Sequence, residues 1–212
     1  MNRFRCAVFA CAVGLFAIGP VRANVLALEF DPAQSSLLSA GAQYTMGWKF
    51  TTTSAITVVA LDAYDPEPGS GHVWLYDSLD DVLATAIVSL SDAMVGAPQA
   101  FYSHSVTPVT LAAGQTYYIA EDYDGTAAAF PQFYANVGSL TTASQIQYGG
   151  GTLASGLDQF PTHDSLFGGT TNPAYFGPNF EIAPEPSTLA LGAGALVGLA
   201  VLRRRKVHGK VR

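Results

Sequence analysis

Between residues 24 and 182 the apolar positions recur in short runs with a period of two, broken by clusters of Pro, Gly, Asp and Ser. Tyr44, Met46, Trp48 and Phe50 alternate with Thr45, Gly47 and Lys49, the pattern of a strand with one buried face. Residues 56–63 are apolar on both faces, so this strand belongs in the middle of a sheet. Residues 25–30 read as a first strand, stopped by Asp31 and Pro32. Residues 65–71 must turn. Residues 72–77 follow, with Val73 and Leu75 facing away from Trp74 and Tyr76, and Asp80 and Asp81 then turn the chain into residues 82–90. Further strands are predicted at 101–106, 108–111 and 116–120, and the acidic residues 121–125 close this block as a turn. From 130 to 172 the alternation weakens. Gly149, Gly150, Gly151, Gly156, Gly168 and Gly169 suggest long loops around short strands such as 145–148, before a closing extended segment at 173–182. The expectation is one all-β sandwich of ordinary domain size.

The two ends break this pattern. Residues 1–23 read as a secretory signal: Arg3 and Arg5 precede an apolar stretch, and Val21 and Ala23 place small or apolar residues at −3 and −1 of a cut between Ala23 and Asn24. An uncleaved N-terminal anchor is the competing reading. At the other end, residues 188–202 form an uncharged apolar run, followed by Arg203, Arg204, Arg205 and Lys206. As a helix, such a run covers about 22 Å, short of the roughly 30 Å hydrocarbon core but able to span a thinned bilayer. The basic cluster would stay on the cytoplasmic side, leaving the central domain outside. Pro184 and Pro186 bracket Glu185, which keeps this stretch extended and accessible to a processing enzyme.

Pro184, Glu185, Pro186, Ser187 and Thr188, the short Gly/Ala/Leu segment and the arginine cluster together resemble the PEP-CTERM protein-sorting signal. The resemblance covers residues 183–206 and leaves 207–212 as a short cytoplasmic end. It implies a chain exported by the Sec machinery, held in the membrane by its C-terminal helix and processed by an exosortase-type membrane enzyme. The product would reach the cell surface or the extracellular matrix of Gram-negative, often exopolysaccharide-making, bacteria. A second resemblance, over residues 43–124, rests on Tyr44, Gly47 and Phe50, on His72, Trp74, Leu75, Tyr76 and Asp77, and on Pro108, Leu111, Gly114 and Tyr117. It is to a secreted β-sandwich domain of unknown function, and implies a jelly-roll-like sandwich without an established activity.

Charge and cysteine content sharpen this picture. The chain carries ten Lys and Arg against sixteen Asp and Glu. Three arginines lie in the signal and six basic residues follow Leu202, so Lys49 is the one base left in the exported body and faces all sixteen acids, a formal charge of about −15. Such a body repels nucleic acid and anionic surfaces. Cys6 and Cys11 both lie in the signal, so the mature domain would have neither disulfides nor cysteine metal sites.

Candidate chemistry in the body is sparse. Asp122 and Asp124, with Glu121 and Gly125, could offer oxygen ligands to calcium, although the twelve-residue EF-hand spacing is absent. An acidic turn that binds nothing is the plainer reading. Asp77, Asp80 and Asp81 form a similar set. The body's histidines, His72, His104 and His163, make neither a HExxH motif nor a His-x-His pair, and no nucleophile elbow or phosphate loop occurs. Trp74, Tyr76 and Tyr102 could stack on sugars, but core packing is the commoner fate of strand aromatics. No motif requires a cofactor. The expected function is therefore that of a non-enzymatic surface or matrix protein. A carbohydrate- or calcium-binding module and a hydrolase of matrix polymers are the alternatives.

Overall fold

The computed structural model describes residues 23–30, 36–37, 41–64, 71–96, 101–126, 134–135, 139–164 and 175–184. Residues 1–22 of the signal read at 1–23, the motif residues Glu185, Pro186 and Ser187, the expected membrane helix at 188–202, the basic cluster Arg203, Arg204, Arg205 and Lys206, and the end at 207–212 lie outside them. All the strands belong to one compact unit, Ala23–Glu185. Among the described residues no helix is long and apolar enough to cross a membrane.

In chain order the strands are β1 (Val25–Leu26), β2 (Leu28–Phe30), β3 (Ser36–Leu37), β4 (Gln43–Thr52), β5 (Ile56–Tyr64), β6 (Gly71–Asp77), β7 (Val82–Val88) and β8 (Ala93–Val95). Then come β9 (Phe101–Leu111), β10 (Thr116–Asp124), β11 (Tyr134–Ala135), β12 (Leu140–Thr142), β13 (Ile146–Ser155), β14 (His163–Asp164), β15 (Tyr175–Phe176) and β16 (Pro178–Ile182). A six-stranded sheet in the order β14-β13-β4-β10-β6-β7 faces a five-stranded sheet, β1-β16-β5-β9-β8. Two small sheets, β15-β11-β3 and β12-β2, accompany them. The chain switches sheets repeatedly: β4 lies in the larger, β5 in the smaller, β6 and β7 in the larger, β8 and β9 in the smaller, β10 in the larger again. The protein is an all-β, jelly-roll-like sandwich.

The core is where the two inner faces meet. Trp48 and Phe50 of β4 pack on Phe180 of β16, with ring centroids 5.8 and 4.9 Å apart. The Trp48 indole N–H donates to the Pro178 carbonyl at 2.9 Å, so this side chain ties one sheet to the other by both contact and hydrogen bond. Val73 and Leu75 of β6, Tyr117 and Ile119 of β10, and Val58 and Leu61 of β5 complete the cluster. The expected central strand is central: β5 lies between β16 and β9. Gly47 lets β4 and β10 approach, because a Cβ there would collide with the Ile119 carbonyl oxygen.

Four local features differ from the sequence-based expectation. The first strand is two, β1 and β2. At Ala27, whose N–H donates to Phe180 O at 2.9 Å, the chain passes from pairing with β16 to pairing with β12. The stretch 101–111 is one strand, with a register irregularity against β5 between Val58 and Ala60. Residues 121–124 extend β10 instead of turning, because Tyr123 continues the inward series and is fully buried. The Gly-rich segment is a ten-residue strand, β13, with a bulge between Tyr148 and Gly150. Its glycines suit it for this: at Gly149 a side chain would meet Lys49 of β4.

Candidate cation site and the exit of the sorting tail

The outer face of the six-stranded sheet carries a polar group of residues beside an aromatic strip. His72, Trp74 and Tyr76 alternate along β6, while Tyr118, Ala120 and Asp122 alternate along the neighbouring β10. The loop after β13 folds over both strands. It brings Phe160 edge-on to Tyr76 and Tyr118, with centroids 5.2 and 5.0 Å apart, and brings Asp158 to His72. This loop hangs on two anchors. Asp122 Oδ1 accepts from Asp158 N–H at 2.9 Å and from Thr45 Oγ1 at 2.8 Å. Thr45 Oγ1 also accepts from Gln159 N–H at 3.0 Å. Gly156 and Asp158 take positive φ values of 97° and 56° to make the bend.

The result is a cluster of His72, Asp122 and Asp158, each offering one ligand atom, with these atoms within 4.8 Å of one another. His72 Nδ1 is 3.3 Å from Asp158 Oδ1. Burial pushes the Asp122 carboxyl up to about 6, and the Asp158 charge adds to this, while the hydrogen bonds from Asp158 N–H and Thr45 restrain it. Removing the hydroxyl that anchors the loop has a predictable cost. Thr45→Val leaves the Gln159 N–H and one Asp122 lone pair without this partner, and is expected to destabilise the protein by about 0.5–1.5 kcal/mol. A urea unfolding curve unchanged from wild type would contradict this.

Asp124 stands apart from this cluster. Its Oδ1 accepts from Thr126 N–H and Oγ1 at 3.1 and 2.6 Å, and its Oδ2 from Gln43 Nε2 at 3.1 Å. Asp77 caps the β6–β7 turn, accepting from Leu79 N–H at 2.7 Å and Asp81 N–H at 3.1 Å. His104 Nδ1 lies 3.0 Å from Asp92 Oδ1. Trp74 and Tyr76 are buried, and Tyr102 lies on β9 of the other sheet, so these three rings form no common platform. The sequence reading reached Asp122 but not Asp158 or His72 as its neighbours. They are 36 and 50 positions away, and only strand register brings them together.

Two further carboxyls are buried without a hydrogen-bond partner among the described residues, Asp62 and Glu121. Asp62 stands in register between Asn179 of β16 and Ser103 of β9, on the face opposite Leu61 and Phe180. The N-terminal segment covers that face, since Asn179 Nδ2 donates to Leu28 O at 2.7 Å and Phe30 rests on Tyr64 and Phe101. Ser103 gives its single proton to Glu181 Oε1 at 2.6 Å, which leaves none for Asp62. Burial pushes Asp62 up to about 8, against the Ser103 dipole and with the help of the Glu181 charge. Glu121 points inward beside Gly71 and Ala63, and burial raises it well above the ordinary glutamate value. Glu181 also lines a cleft of about 440 Å³ with residues 23–26, Glu29, Val95 and Gly96.

The two ends of the domain meet at one edge. β1 pairs antiparallel with β16, Val25 opposite Ile182 and Leu26 opposite Glu181. Ala183 N–H donates to Thr57 O at 2.8 Å, and the chain leaves at Pro184. Fold and exit together define an all-β sandwich domain with a C-terminal appendage that starts where its last strand stops. That appendage is a PEP-CTERM protein-sorting motif, matched over residues 183–206. No curated protein and no solved structure matches the chain.

Proposed function

We propose that this protein is an exported, non-enzymatic β-sandwich, delivered through its PEP-CTERM tail to an exosortase-type membrane enzyme and thence to the cell surface or extracellular matrix. The observation that carries the reading is the match of residues 183–206, beginning one residue after β16 ends at Ile182. A processing enzyme acting at Pro184, Glu185, Pro186 or Ser187 would cut outside every backbone pair of the sandwich, so the domain survives removal of its tail intact. The signal cut between Ala23 and Asn24 is equally clear of the sheets, one residue before β1 begins. A body of about −15 keeps such a domain soluble among anionic polymers once it is released.

The test is the mass of the mature protein in its own host. It is expected to start at Asn24 and to end within residues 184–187. Deletion of residues 183–212 is expected to abolish surface delivery. Unchanged localisation of the deletion variant, or a mature chain that still ends at Arg212, would overturn the proposal.

A further inference from the structure

The geometry points to a divalent transition-metal site, zinc foremost, formed by His72, Asp122 and Asp158 on the outer face of the six-stranded sheet. The argument starts from a hydroxyl outside the cluster. Thr85 Oγ1 donates its proton to Val73 O at 3.1 Å. It therefore meets His72 Nε2, 3.0 Å away, as an acceptor, and His72 carries its proton on Nε2. In the neutral ring Nδ1 then presents a bare lone pair, and it presents it 3.3 Å from Asp158 Oδ1. The three ligand atoms lie within 4.8 Å of one another, and no His72 proton stands between Nδ1 and Asp158 Oδ1. A cation satisfies all three at once.

The spacing and support fit. Zinc holds nitrogen and oxygen ligands at about 2.0–2.2 Å, so two ligands at a tetrahedral angle stand about 3.4 Å apart. The His72–Asp158 separation is already at that value, and the three ligand atoms lie within 4.8 Å of one another, close enough to gather by side-chain rotation. Metal-binding histidines donate their second N–H to a fixed acceptor, the role Thr85 fills here. Asp122 is oriented by Thr45 and by Asp158 N–H, and the His72 ring lies 3.7 Å from the Trp74 ring, so these two ligands are held near the site and the exposed Asp158 carboxyl has the room to rotate onto the ion. An imidazole among the ligands favours zinc, nickel or copper over calcium. Three protein ligands and an exposed Asp158, 70 % accessible in its side chain, leave the fourth position open to water or to an external donor such as a polymer carboxylate.

The experiment is calorimetric titration of the metal-free mature protein with zinc chloride and, separately, calcium chloride. One zinc equivalent is expected per chain, with calcium binding at least tenfold weaker. Asp158→Asn keeps the loop's backbone bonds and is expected to weaken zinc at least tenfold without moving the metal-free melting temperature. His72→Gln is expected to weaken zinc in the same way. Nitrogen-15 NMR of the histidine rings gives a readout independent of folding: His72 Nδ1 should shift on zinc addition while Nε2 stays protonated. Three outcomes would overturn the proposal: no zinc uptake by the wild type, zinc affinity unaltered in both variants, or an Nδ1 that stays protonated and unmoved by zinc. The last would leave His72 and Asp158 as an ion pair only.

Discussion

Acidifying the protein from pH 8 to pH 4 is expected to stabilise it, the reverse of ordinary acid denaturation. Asp62 ionises at about 3.8 in the unfolded chain and at about 8 in the folded one. Between those values the unfolded state binds fewer protons than the folded state, so stability falls as pH rises through the window and levels off above it. The swing from Asp62 is on the order of 5 kcal/mol, a large fraction of a typical domain's stability. Glu121 acts with the same sign, its carboxyl being raised by burial. Asp122 adds in the same direction up to about pH 6 in the metal-free protein. Asp92 has the opposite sign. Burial raises it, but Ser89 N–H and His104 outweigh burial and hold it below the ordinary value, so it acts below about pH 4. Urea midpoints measured across pH 4–9 give the profile, and Asp62→Asn is expected to flatten it. A wild-type midpoint that is constant or climbs between pH 4 and 8 would show that Asp62 is solvated.

The second large effect concerns the residue that joins the sheets. Trp48→Ala is expected to destabilise the domain by about 3–5 kcal/mol, since removing a large core aromatic costs both its transfer energy and the cavity it leaves. Trp48 is fully buried, packs on Phe50, Tyr148 and Phe180, and loses its hydrogen bond to Pro178 O in the variant. Pro178 and Phe180 belong to β16, so the damage extends to the strand from which the sorting tail departs. Trp48→Phe keeps most of the packing without the indole N–H, and is expected to lie between the two. Equal unfolding midpoints for Trp48→Ala and wild type would mean that the sheets are held together elsewhere.

How much of this was legible depended on the distance over which each feature is set. The alternation of Tyr44, Met46, Trp48 and Phe50 is a local signal, and β4 follows it with Met46, Trp48 and Phe50 buried. The doubly apolar run at 56–63 placed β5 centrally for the same reason. β13 was not legible as a long strand, because glycine has no side chain to alternate. Its pairing is dictated by Lys49 and the rest of β4, a hundred positions earlier in the sequence. The acidic stretch at 121–124 was read by composition as a turn, yet Tyr117, Ile119, Glu121 and Tyr123 keep the period of β10. A stricter reading of that period would have exposed Glu121 as an inward carboxyl. Asp62 went unread as well, although it is the single charge in residues 56–63, because that run reads as apolar on both faces. The partners of Asp122 were not legible, since both the His72 register and the Asp158 bend are tertiary outcomes.

The pairing of β1 with β16 also has a mechanical meaning. Val25 stands opposite Ile182, so residues 24 and 183 emerge side by side from the end of an antiparallel edge pair. A load between these two ends runs along the inter-strand hydrogen bonds, and opens them one after another instead of shearing them together. The first steps release Val25 from Ile182 and then Leu26 from Glu181, while Trp48, Phe50 and Phe180 remain packed behind them. Tugging at its termini thus frays a short hem before it reaches the fabric.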